Sequence, residues 1–113
     1  MNSPKQGDII FLDFNPQSGH EQAGKRPALV VSEYSFNKTT GFAVVCPITN
    51  QTKGYPFEVS VSGTQKTTGY VLSDQFKSLD IKARGFKIVD SVDDKTLKLT
   101  LRNISLVLGL NKA

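Results

Sequence analysis

The stretch Gly19-His20-Glu21-Gln22-Ala23-Gly24-Lys25-Arg26-Pro27 holds the densest set of reactive groups in the chain. It brings an imidazole, a carboxylate and two cations together with two flexible glycines. A loop this polar can be no more than solvated surface, and composition alone favours that reading. Its place between two strand-like segments lifts it, because a scaffold on each side can hold charged groups rigidly. The set suits metal-free cleavage of RNA, in which a 2′-hydroxyl attacks the adjacent phosphorus. That reaction needs a base for the hydroxyl proton, fixed positive donors for the crowded phosphorane, and a proton for the leaving 5′-oxygen. Glu21 suits the base. Arg26 offers a planar fork that matches two phosphate oxygens. Because a guanidinium stays charged, it is assigned to charge stabilisation rather than proton donation. His20 is chemically the better acid.

A second polar run, Thr49-Asn50-Gln51-Thr52-Lys53, follows an apolar segment. The Thr49 hydroxyl can hold a phosphate oxygen, while Asn50 and Gln51 can read base edges. The competing reading, that Thr49 only satisfies its own turn, is the stronger one from the residues alone. Tyr55, Phe57, Tyr70 and Phe76 are candidates to stack on unpaired bases. With seven Phe, three Tyr and no Trp, most aromatics must be core. Tyr55, beside a loop glycine, stands ahead of the others.

His20 is the only histidine and Cys46 the only cysteine. No internal disulfide can form, and a zinc site of three or four ligands has too few candidates. No metal and no cofactor are expected. Cys46 lies in the apolar run Phe42–Ile48 and reads as a small core hydrophobe.

At 113 residues the chain is expected to be one domain, residues 1–113. Short β-type segments dominate the first ninety positions. Asp8–Phe14, Pro27–Ser32, Phe42–Ile48, Phe57–Val61, Gly69–Leu72 and Gly85–Val89 read as strands. Gln17–Lys25 reads as an exposed loop. The second and third strands are expected to pair around a turn at Asn37–Gly41. Ser73–Ile81 is ambiguous, with a helical turn around Ser78-Leu79. The C-terminus is helical, capped by Ser91, with Asp93 and Asp94 in its first turn. Leu97, Leu101, Ile104 and Leu108 form one apolar stripe that packs on the barrel. The fold class is therefore mostly β: an open barrel of five to seven strands, with a C-terminal α-helix and short helical turns. Leu99, Leu106 and Leu110 lie off the stripe and ask for a second surface, which a symmetric partner can supply.

No run approaches the roughly 18 apolar residues of a membrane span. Met1–Gly7 is polar and lacks the apolar core of a signal peptide. A cytoplasmic, membrane-free setting is the expectation. The net charge of +4 permits a polyanionic partner.

Several blocks together resemble the MazF/PemK toxin family. They are Gly7-Asp8-Ile9-Ile10, Asp13-Phe14-Asn15-Pro16, the Gly19–Pro27 run, Cys46-Pro47-Ile48-Thr49, Lys53–Val59, Asp74-Gln75-Phe76-Lys77-Ser78 and Lys82-Ala83-Arg84-Gly85. They fall in the family's order from Gly7 to about Gly109 and lean to the MazF side. The resemblance implies an SH3-like barrel and a homodimer that includes the C-terminal helix. It also implies cleavage of single-stranded mRNA at short motifs, and an acidic MazE-like antitoxin that blocks the RNA site. By position, Arg26 and Thr49 match the family's catalytic arginine and threonine, and Glu21 matches a glutamate implicated in catalysis. His20 matches a histidine of the PemK branch. Asp74 matches an aspartate that PemK-type enzymes use as acid or base. Those enzymes also carry an arginine two residues earlier, where this chain has Leu72, so Asp74 ranks below Glu21 and Arg26. Lys25, Asn50, Gln51, Lys53, Tyr55 and Lys77 are expected to contact RNA. The main alternative is a CcdB-like toxin that binds DNA gyrase without catalysis. Such a protein has no need of the Glu21, Arg26 and Thr49 set.

Overall fold

The computed structural model describes residues 2–16 and 18–110. Ile9 and Ile10, neighbours on β1 (Asp8–Asp13), are both fully buried. Side chains alternate across a strand, so both can be buried only if the sheet is covered on its two faces. The same holds for Ala28, Leu29 and Val30 on β2 (Lys25–Val30), and for Val45 and Cys46 on β3 (Ala43–Thr49). One face gathers Ile10, Leu12, Phe14, Val30 and Val45. The other gathers Ile9, Leu29, Cys46, Ile48 and Val71, with Leu101 and Ile104 of the C-terminal helix packed on it. Two-sided burial is why these segments read as continuous apolar runs. Burial, with the Asp74 charge nearby, pushes the Cys46 thiol up to about 12, which makes it packing and not a nucleophile.

The remaining strands are β4 (Glu58–Ser60), β5 (Tyr70–Leu72), β6 (Lys77–Leu79) and β7 (Lys87–Ser91). The sheet order is β4-β5-β3-β2-β1-β7, and every pairing is antiparallel. One edge of β3 pairs with β2. Its other edge pairs first with β6 along Ala43–Val45 and then with β5 at Ile48 and Thr49. The sheet curls at this junction without closing, as an open SH3-like barrel does. Thr49 thus sits at the end of a central strand.

Four local expectations are corrected, the last of them on the C-terminal helix. Asn37–Gly41 is not a tight turn but the end of α1 (Tyr34–Thr40), closed by Gly41 in the left-handed conformation at φ 76°. The buried Asn37 amide explains it, donating to the carbonyls of Pro4 (3.0 Å) and Ser32 (3.2 Å). The expected pairing of the strands on either side survives, with Leu29 opposite Cys46. Ser78-Leu79 is extended rather than helical, because β6 hydrogen-bonds to β3. The helical turns flank it, a 3-10 turn at Ser73–Gln75 and α2 at Ile81–Arg84. Next, Ser91 ends β7 opposite Asp8, and Asp93 caps the C-terminal helix α3 (Asp94–Leu108), accepting from the Thr96 N–H at 3.0 Å.

The buried face of α3 is centred on Thr96 and Thr100, with Leu97, Leu101 and Ile104 half-buried beside them. The threonine hydroxyls make this possible. Thr96 Oγ1 meets the Ser62 hydroxyl and N–H, and Thr100 Oγ1 donates to the Thr96 carbonyl at 2.8 Å. Leu108, expected in the stripe, is 55% exposed. No helix among the described residues is long and apolar enough to cross a membrane.

Candidate active site

The loop before β2 has little regular hydrogen bonding, so its shape rests on anchors. At its base the Phe14 N–H donates to the Gly24 carbonyl (3.0 Å) and the Gly24 N–H to Asn15 Oδ1 (3.1 Å). Arg84 at the end of α2 donates to the carbonyls of Asp13 and Asn15. At its crown the Ser18 N–H donates to Glu21 Oε1 (3.0 Å), and the Gln22 N–H reaches Gln75 Oε1 (3.2 Å). Lys77 Nζ lies 3.6 Å from Glu21 Oε1. The loop is exposed yet tied at several points.

Arg26 begins this anchoring from β2. Its Nε–H and Nη2–H both donate to the Ala23 carbonyl (3.1 and 3.0 Å), and Nη1–H donates to the Ile48 carbonyl (3.4 Å). The side-on fork expected to grip a phosphate therefore holds the backbone here. A guanidinium has five N–H donors, so one remains on each terminal nitrogen. The group bridges the neighbours of Gln22 and Thr49, both of which line the cleft described next.

That cleft, about 470 Å³, is lined by His20, Glu21 and Gln22 from the loop, and by Thr49, Gln51, Lys53 and Tyr55 from the end of β3 and beyond it. Glu58, Leu72, Asp74 and Gln75 complete it. Thr49 Oγ1 accepts the Gln51 N–H at 3.1 Å, the local turn bond anticipated, which leaves its own proton free to donate. Tyr55 is 53% exposed, as a stacking platform requires. Among the described residues, no three His, Cys, Asp or Glu side chains come together as a metal site.

Seven residues expected from the sequence thus share one cleft: His20, Glu21, Thr49, Gln51, Lys53, Tyr55 and Asp74. Four do not line it. Arg26 lies against the backbone of the wall, and Lys77 reaches Glu21 from the side. Asn50 is turned aside, its Oδ1 accepting from the Thr68 hydroxyl at 3.0 Å. Lys25 is exposed on β2 opposite Asp13.

Residues 5–108 match the family described as "PemK-like, MazF-like toxin of type II toxin-antitoxin system". The chain belongs to this family. Within it, the chain is 44% identical over 106 residues to the endoribonuclease toxin MazF of Escherichia coli strain K12, covering 94% of this chain and 95% of that one. Its fold is similar to the crystal structure of Deinococcus radiodurans MazF, with a TM-score of 0.91 and 38% identity over 96% of this chain and 99% of that chain. It is also similar to a chain in the MazE-MazF complex of the same organism (TM-score 0.86, 37% identity, 98% and 100% covered). The MazF-like architecture therefore accounts for the open barrel and α3, and the CcdB-like reading is set aside.

Beyond Gln22 of the loop and the apolar Leu72, two groups line this cleft that carry no local mark in the sequence, Gln75 and Glu58. Gln75 is recognisable only from its contact with Gln22, which is 53 positions away. Glu58 enters the cleft because β4 pairs with β5, placing Glu58 opposite Leu72. Nothing in the sequence states that register.

Proposed function

We propose that this chain is the toxin of a type II toxin–antitoxin pair, an endoribonuclease that cuts single-stranded mRNA in this cleft and so stops translation. The observation that carries the reading is the meeting of Glu21, His20 and Thr49 with Gln51, Lys53 and Tyr55 in one cleft, from segments far apart in sequence. Glu21 takes the 2′-hydroxyl proton as that oxygen attacks phosphorus. Thr49 donates to a phosphorane oxygen, and Arg26, fixed behind the Gln22 and Thr49 wall, supplies positive charge through its two unused N–H groups as charge develops there. His20 gives a proton to the departing 5′-oxygen, with Asp74 as the second candidate. Gln51, Lys53 and Tyr55 hold the flanking nucleotides. An acidic MazE-like antitoxin is the expected partner, competing with RNA for the same cleft, and work on mRNA fits a cytoplasmic setting.

Purified protein should cut a long RNA in the presence of EDTA. Mass spectrometry should find a 2′,3′-cyclic phosphate, or its 3′-phosphate hydrolysis product, and a 5′-hydroxyl. Loss of activity in EDTA, or 5′-phosphate ends, overturns the mechanism.

The working form is a homodimer. Leu99 in the first half of α3 and Leu106, Val107 and Leu110 at or just beyond its end are 37–70% exposed, apolar surface that a symmetric copy can cover. Light scattering at micromolar concentration should report twice the mass of one chain. A monomer at that concentration counts against it.

A further inference from the structure

A cleft that receives a polyanion is poorly served by carboxylates, yet Glu21, Glu58 and Asp74 line this one, where Lys53 is the one lysine among the described lining residues and Lys77 reaches Glu21 from the side. Glu21 and Asp74 have proton-transfer roles in the proposed reaction, and Glu58 has none. Left without a function it would only repel phosphate.

Both Glu58 carboxylate oxygens are engaged by the loop that follows β3. Oε1 accepts from the Thr52 hydroxyl, and Oε2 accepts from the Lys53 N–H at 3.0 Å. Thr52 Oγ1 in turn accepts the Gly54 N–H at 3.2 Å, and the Glu58 N–H donates to the Tyr55 carbonyl at 3.1 Å. Residues 51–55 belong to no helix or strand, so these bonds give that segment its shape. They hold the Glu58 carboxyl below the usual carboxylate range, the Thr52 hydroxyl first and the Lys53 N–H next.

We propose that Glu58 is a positioning residue for RNA: it folds the 51–55 loop so that Gln51, Lys53 and Tyr55 meet the substrate, and it takes no part in bond breaking. The assignment rests on the RNA reading of this cleft. Three effects can be told apart by steady-state kinetics on a short RNA. Glu58→Ala removes the acceptors and should raise KM about ten-fold, since hydrogen bonds to a charged group are among the stronger ones. Its kcat should stay within about three-fold, as expected for a loss of binding that is uniform along the reaction. Glu58→Gln keeps an acceptor for the Lys53 N–H and can donate to Thr52 Oγ1, so its KM should return close to that of the parent. If both variants lower KM, the carboxylate merely repels phosphate and the proposal is wrong. It is equally wrong if Glu58→Ala leaves KM unchanged or lowers kcat alone.

Hydrogen exchange at the Lys53 amide gives a readout that does not depend on cleavage. That amide should be protected in the parent and in Glu58→Gln and lose protection in Glu58→Ala; equal exchange in all three overturns the assignment. A parent protein that cuts no RNA refutes the proposed function instead, and the exchange result still decides the loop.

Discussion

Replacing Arg26 with alanine should lower the cleavage rate on the order of a hundred- to a thousand-fold, the cost of losing a donor aimed at charge that develops in the transition state. The geometry sharpens the experiment, because the guanidinium also ties the Ala23 carbonyl to that of Ile48. Alanine removes this tie together with the charge. The loop keeps its other anchors, from Phe14 to Gly24, from Gln22 to Gln75 and from Ser18 to Glu21. The expected melting temperature is therefore lower by only a few degrees, and the fold and oligomeric state are retained. Arg26→Lys should rescue cleavage poorly. One ammonium can reach a carbonyl or a phosphate oxygen, but it cannot bridge two carbonyls and still present a donor on each of two nitrogens. If Arg26 does nothing but pin the wall, melting temperature and rate will fall together in Arg26→Ala, and Arg26→Lys will restore both. A folded and fully active Arg26→Ala protein removes Arg26 from the chemistry.

The parts of the fold that could be read from the sequence are those in which one strong local signal dominates. The runs at β2 and β3 are buried on both faces, so nothing polar interrupts them, and their pairing was expected correctly. α1 was missed because what secures its place is tertiary: the Asn37 amide bonds to Pro4 and Ser32, partners that local propensity does not register. The cap of α3 moved from Ser91 to Asp93 for a similar reason, since pairing with β1 claims Ser91 for a strand. Reading leucines as the buried stripe of α3 overlooked that Thr96 and Thr100 can go inside once their hydroxyls are satisfied.

The candidate site divides in the same way. His20 and Glu21 stand together in one polar loop, so residue type and position already mark them, whereas Thr49 is marked only by the family resemblance. Asn50 is marked by residue type too but bonds to Thr68 instead. Glu58 and Gln75 contribute through a strand register and a long-range bond, which no local pattern encodes.

That the RNA's own 2′-hydroxyl is the nucleophile can be tested on the substrate without altering the protein. The substrate is an RNA with two copies of the cleavage motif, one carrying a single 2′-deoxy residue immediately 5′ of the scissile phosphate. Without that hydroxyl there is no attacking oxygen for Glu21 to deprotonate, so the effect is abolition and not a fractional slowing. The intact copy on the same strand controls for binding and for enzyme activity, because one missing hydroxyl leaves the phosphates and base edges unchanged. Sequencing-gel analysis should show cutting at the intact copy and none at the 2′-deoxy copy. Cleavage at the normal position of the 2′-deoxy copy would contradict attack by the 2′-hydroxyl.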